Sequence, residues 1–213
     1  MKRGLIFLLL LAVSVFCAFS QNAKRLTGVI RELTGEVELK RAGTSAFTKA
    51  RTGDTIAADT IVSTGFKSTA VIELGSSSIA VRPLTCLSLA EIQSISDTET
   101  VNVKLQTGRV KVDVKPPAGT KTNFTVQSPS STASVRGTSF EFDSYNLLVN
   151  EGMVAFHGNK GMVVLVPTGM ASSIGADDKA VDPLSSDEIL AQKSLRRPTA
   201  PVIDLMIDLT IDW

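Results

Sequence analysis

The sequence is poor in the groups that do chemistry. It has 213 residues, of which one is a histidine, His157, and two are cysteines, Cys17 and Cys86. A lone general base has no partner to complete a relay, and no Cys–His or His–His spacing suits a metal. No G-x-S-x-G elbow, phosphate loop or dinucleotide fingerprint occurs. The chain is therefore read as a non-enzyme, with no catalytic residue, no metal and no cofactor. His157, in "VAFHGN", reads as a surface or turn residue. Asp177 and Asp178, like the acids near the C-terminus, lack calcium-loop spacing and read as solvated. Lysine and arginine number 22 against 21 acids, a net charge of +1, with no basic cluster in the body. That excludes a nucleic-acid partner and strong steering of charged ones. One tryptophan and one tyrosine make a thin stock for stacking on sugars.

The one long apolar run is at the start. Lys2 and Arg3 precede "LIFLLLLAVSVF", and Ala18 and Ser20 are small at the −3 and −1 positions before Gln21. This is the pattern of a signal peptide over residues 1–20. Its run is marginal for the ~20 residues that span a bilayer. The expected location is export to the periplasm, with no integral membrane span after cleavage. Lipid anchoring through Cys17 is an alternative, although Phe16 stands where a small residue is usual. Outer-membrane association is another. Cleavage leaves Cys86 alone, so no internal disulfide can form, and Cys86 reads as a small buried hydrophobe.

From about residue 26 to 175 the pattern has period two. Val37 and Leu39 share a face, as do Ala70, Ile72 and Leu74, and Val110, Val112 and Val114. Such short runs, rich in Val, Ile, Thr and Phe and bounded by Gly, Ser or Pro, are strands. No helical stretch separates them, which disfavours βαβ units. Glycine followed by a strand recurs at Gly35, Gly108, Gly137, Gly152 and Gly161, with irregular spacing. The expected fold is all-β: many short strands in a roll or sandwich with solenoid-like coils over residues 21–175. "GDT" at 53–55 reads as a turn in which Asp54 bonds backbone amides.

Residues 176–213 read as a loop, one short helix and a terminal strand. Ser185 and Glu188 form a capping box ahead of the helix. The tail alternates strictly: Ile203, Leu205, Ile207, Leu209, Ile211 and Trp213 share one face, and Asp204, Asp208 and Asp212 lie on the other. Burial of that face about offsets the cost of ordering it, so the strand also needs sheet hydrogen bonds. It either blunts an edge of its own sheet or is donated to another protein through Leu205, Ile207, Leu209, Ile211 and Trp213.

The stretch "ASVRGTSFEFD", residues 133–143, breaks the alternation. Ala133 and Val135 have one parity, Phe140 and Phe142 the other. The reading is a structural motif of Val135, Arg136, Gly137, Thr138 and Phe140: a bulge or tight kink with Gly137 at positive φ. Arg136 then clasps backbone carbonyls or a carboxylate such as Glu141 or Asp143. A ligand-binding arginine is the other reading.

"GDTIAADTIVSTGFKSTAVIELGSSSIAVRPLTCLSLAEI", "VKLQTGRVKVDV", "NFTVQSPSSTASVRGTSFEF" and "EGMVAFHGNKGMVVLVPTGMASSI" together resemble the FecR domain, over about residues 26–175. The resemblance implies the extracytoplasmic domain of iron-transport regulators and of many stand-alone exported proteins. In the regulators a cytoplasmic anti-sigma segment and one membrane helix precede it, and it senses a receptor by protein contact. Only Met1 to Arg3 precede the apolar run here, so direct control of a sigma factor is not expected. What carries over is an exported β module with envelope-protein partners, in signalling or assembly. The alternative is a cell-wall or carbohydrate-binding module.

Overall fold

The computed structural model describes residues 24–95, 97–185 and 187–188. The expected signal segment 1–20, the body of the expected helix and the alternating tail, including Leu205, Ile207, Leu209, Ile211 and Trp213, lie outside them. The described strands begin with β1 (Lys24–Arg25), β2 (Gly28–Thr34), β3 (Val37–Lys40), β4 (Thr48–Lys49), β5 (Thr55–Ile56) and β6 (Ile61–Thr64). β7 (Thr69–Leu74), β8 (Ser77–Val81), β9 (Cys86–Ile95), β10 (Thr98–Thr107), β11 (Arg109–Val114) and β12 (Lys121–Gln127) follow. The last are β13 (Ser131–Val135), β14 (Ser139–Asp143), β15 (Asn146–Glu151), β16 (Met153–Gly158), β17 (Val164–Pro167), β18 (Met170–Ser173) and β19 (Leu184–Ser185).

They build two sheets. The first runs β17-β16-β13-β12-β10-β9-β6-β3-β4, with β1 beside β9; the second runs β19-β18-β15-β14-β11-β8-β7-β2-β5. The chain lays one or two strands in one sheet and then crosses to the other. β10 and β12 pair in parallel with β11 in the opposite sheet between them, which makes one turn of a coil. Every other pairing is antiparallel, and in hairpins such as β7–β8 and β14–β15 the short turn requires it. The expected all-β architecture is present; β19 carries the second sheet past residue 175.

The inward faces are those the alternation marks. Val110 and Val112 from β11, Ile72 and Leu74 from β7, and Phe124 and Val126 from β12 are buried. Phe142 of one sheet meets the edge of Phe156 of the other, with ring centroids 6.3 Å apart at 81°. Such contacts lock the sheets face to face. Four of the five expected turn glycines stand where the chain changes sheet: Gly35 between β2 and β3, Gly108 between β10 and β11, Gly137 between β13 and β14, and Gly152 between β15 and β16. At each crossing the inward parity flips, as from Val103 and Leu105 to Val110 and Val112.

The break at Arg136-Gly137 is thus a crossing and not a bulge. Val135 and Phe140 enter the core from opposite sheets, both buried. Gly137 is not among the residues at positive φ, and an added Cβ would lie 3.4 Å from Pro116, an ordinary contact. The residue that needs to be glycine is its neighbour in space. Gly152 has φ +84, and a Cβ there would fall 2.7 Å from Thr138 Cγ2. Thr138 fills the crossing, and its carbonyl accepts a bond from the Val114 amide at 2.9 Å.

Candidate interaction surface

Hydroxyl groups stitch one rim of the sandwich where the crossings pass. Ser68 Oγ accepts from the Glu36 amide at 2.8 Å. Thr64 Oγ1 donates to the Arg82 carbonyl at 2.7 Å and accepts from the Thr85 amide at 3.0 Å. Thr85 Oγ1 in turn donates to the Arg109 carbonyl at 3.1 Å and accepts from the Arg109 amide at 3.0 Å. Ser131 Oγ donates to the Ser144 carbonyl at 2.9 Å. Thr64, Ser68, Thr85 and Ser131 are buried. Thr64, Ser68 and Thr85 satisfy backbone groups at the crossings, and Ser131 ties the first sheet to the β14–β15 hairpin of the second.

Outside this rim lies a groove. Its floor is the outer face of β14, whose polar positions alternate with Phe140 and Phe142. Register places Arg109, first residue of β11, opposite Asp143, and the guanidinium reaches the carboxylate at 3.4 Å. Arg82, just past β8, reaches Glu141 at 3.5 Å. Asp143 Oδ1 also accepts from the amides of Tyr145 at 2.9 Å and Asn146 at 2.8 Å. That Asx turn closes the β14–β15 hairpin and holds Tyr145 out, 57% exposed. Leu84, 60% exposed, stands beside it. Two cavities of about 470 and 670 Å³ share Arg109, Glu141, Asp143 and Asn146.

The two carboxylates suggested as partners of Arg136 are therefore held by Arg82 and Arg109. Arg136 is exposed, and among the described residues it forms no ion pair or side-chain hydrogen bond. The clasp reading is corrected: hydroxyls do that work on the opposite rim. Strand rise explains it, since Asp143 lies about 13 Å along β14 from the crossing. Sequence reading missed Arg82 and Arg109, which precede their partners by dozens of residues and meet them only through sheet register.

Other candidates sit apart from the groove. His157, on β16 in the other sheet, bonds the Gly158 carbonyl through Nδ1 at 2.9 Å. Asp177 pairs with Lys179 at 3.0 Å, which lowers its carboxyl pKa, and Asp178 pairs with Lys160 at 3.3 Å. Cys86 is half-buried, not the buried hydrophobe expected, and its Sγ donates to Gln106 Oε1 at 3.2 Å; its partial burial raises the thiol pKa. Asp54 does accept the Arg51 amide at 2.9 Å, as the turn reading requires. Ser185 and Glu188 exchange the reciprocal bonds of a capping box, at 2.8 and 3.3 Å. Among the described residues no group of three or more His, Cys, Asp or Glu is placed to hold a metal.

Residues 51–155 match the family model described as FecR protein. The chain carries a FecR domain. The match contains the whole lining of the larger cavity, Arg82 to Asn146. Two crystal structures of a candidate anti-sigma factor from Parabacteroides distasonis ATCC 8503, at 1.65 and 2.50 Å resolution, are similar at 15% identity and a TM-score of 0.48. The overlap covers 62% of this chain and 64% or 63% of theirs, less than two thirds of their length. None of the curated proteins matches the sequence.

Proposed function

We propose that the chain is an exported, non-enzymatic FecR-type module that acts by protein contact in the cell envelope, in signalling or assembly. The observation that carries this reading is the groove of the FecR domain. Two Arg–carboxylate pairs and the exposed Leu84 and Tyr145 give it both charge and apolar area, the mixture that protein interfaces use. The signal pattern of residues 1–20 supports export.

The test is a pull-down from envelope extracts with the intact chain and with an Arg109→Glu/Tyr145→Ala variant. A protein retained by the first and lost by the second is the expected result. Cell-wall or carbohydrate binding is the second reading, favoured by the exposed ring of Tyr145. Retention on peptidoglycan, with no protein partner, would replace the first reading with the second. Fractionation followed by N-terminal sequencing tests export. A periplasmic chain starting at Gln21 is expected; a cytoplasmic chain with residues 1–20 intact overturns it.

A further inference from the structure

Besides β17, the strands that end the two sheets are β4, β5 and β19, each two residues long. So little backbone is a poor template for another strand. β17 differs. It runs Val164–Pro167, and among the described residues nothing pairs with its far side. Its sequence VLVP carries no charge. Leu165 is 58% exposed, and Met162 and Val163 just before it are 86% and 57% exposed. At the same end of the sandwich, Val164, Met170, Ile174 and Ala180 pack on the core only partly covered. An unguarded apolar edge beside a half-roofed core is where one more strand fits.

The chain holds a segment of matching chemistry. β19 is the last strand of the second sheet, as β17 is of the first, so the chain passes Ser185 at the end where the gap lies. Residues 186–202 extended reach about 55 Å, far more than the roughly 10 Å between packed sheets. A tether this short gives the tail an effective concentration near the millimolar range at its own edge.

We propose that residues 203–211 add to the first sheet alongside β17 of the same molecule. Ile203, Leu205, Ile207 and Leu209 face inward over Val164, Met170 and Ile174, and Asp204 and Asp208 face solvent. The strand partners the free backbone of β17 and closes the end of the core. The acids on its outer face then blunt the new edge against further pairing. The pairing is independent of any envelope partner, because the groove at Arg109 lies on the other sheet.

Hydrogen exchange of the amides at residues 162–166 tests it. In the full chain they are expected to exchange at least about tenfold more slowly than in Ile207→Asp/Leu209→Asp. Met206→Asp, of opposite parity, should leave them protected. A peptide of residues 199–213, added to a chain ending at residue 198, should restore protection. Equal exchange in all variants overturns the proposal, as does loss of protection in Met206→Asp. Protection that appears only as light scattering reports a dimer overturns it too, and places the tail on a second copy.

Discussion

Gly108 lies so close to Thr85 that a Cβ on the glycine would sit 2.3 Å from the threonine Oγ1 and 2.5 Å from its Cα. The approach is made by the crossing from β10 to β11, with Gly108 at φ +93. It is what lets Thr85 reach both backbone groups of Arg109. Gly108→Ala meets the clash and the conformational strain together, and left-handed strain alone costs about 1–3 kcal/mol. Thermal unfolding by circular dichroism should show a fall of several degrees. Gly119 has φ +85 with open space around it, so Gly119→Ala isolates the strain and should fall less. Gly137→Ala should stay within about 0.5 kcal/mol. Equal melting temperatures for the Gly108 and Gly137 variants would refute this account.

Thr85 and Thr138 make opposite predictions for the same substitution. Thr85→Val leaves the part-buried Arg109 amide without its acceptor, at a cost of about 1–3 kcal/mol. Thr138 Oγ1 is buried and has no hydrogen-bond partner among the described residues. Thr138→Val therefore removes a polar atom that bonds nothing, and should be neutral or stabilising. Urea titrations of both variants decide it; a large loss for Thr138→Val would contradict the packing described.

Phe142 and Phe156 should be energetically coupled. Either truncation to alanine opens a cavity in the core, worth about 3–5 kcal/mol. A double-mutant cycle should show about 0.5–1.5 kcal/mol of coupling from the edge-to-face contact. Strict additivity would mean that the two sheets do not meet there.

Cys86 should be a slow nucleophile. Burial disfavours its thiolate and raises its pKa, above the ordinary thiol value of about 8.5. Alkylation by iodoacetamide at pH 8 should lag behind a free-cysteine peptide and climb as pH rises. The neutral thiol is the form favoured by folding. Its contribution to stability is intact below the unfolded thiol's pKa and is lost as pH rises through the folded value. Alkylation as fast as the peptide's would show the thiol to be open.

The inward faces were readable because each strand keeps its parity: Val110, Val112 and Val114 leave no second choice of buried side. The meaning of a parity change was not readable. A bulge and a crossing shift the alternation alike at Arg136-Gly137, and only the location of the next strand separates them. The same holds for the groove. Arg109 and Asp143 are 34 residues apart and opposite each other, a relation set by the antiparallel register of β11 and β14 that local pattern does not encode. Asp54 and the Ser185–Glu188 box, whose partners lie within three residues, were readable for that reason.

Both sheets grow almost in the order of the chain, from β2 and β3 at one end to β17 and β19 at the other. No late strand has to thread between early ones, and the two termini of the described fold never need to meet. A polypeptide emerging end-first, from a ribosome or from a pore, can therefore zip up hairpin by hairpin behind its leading edge. The last turns would remain the easiest to peel away while the middle stays shut.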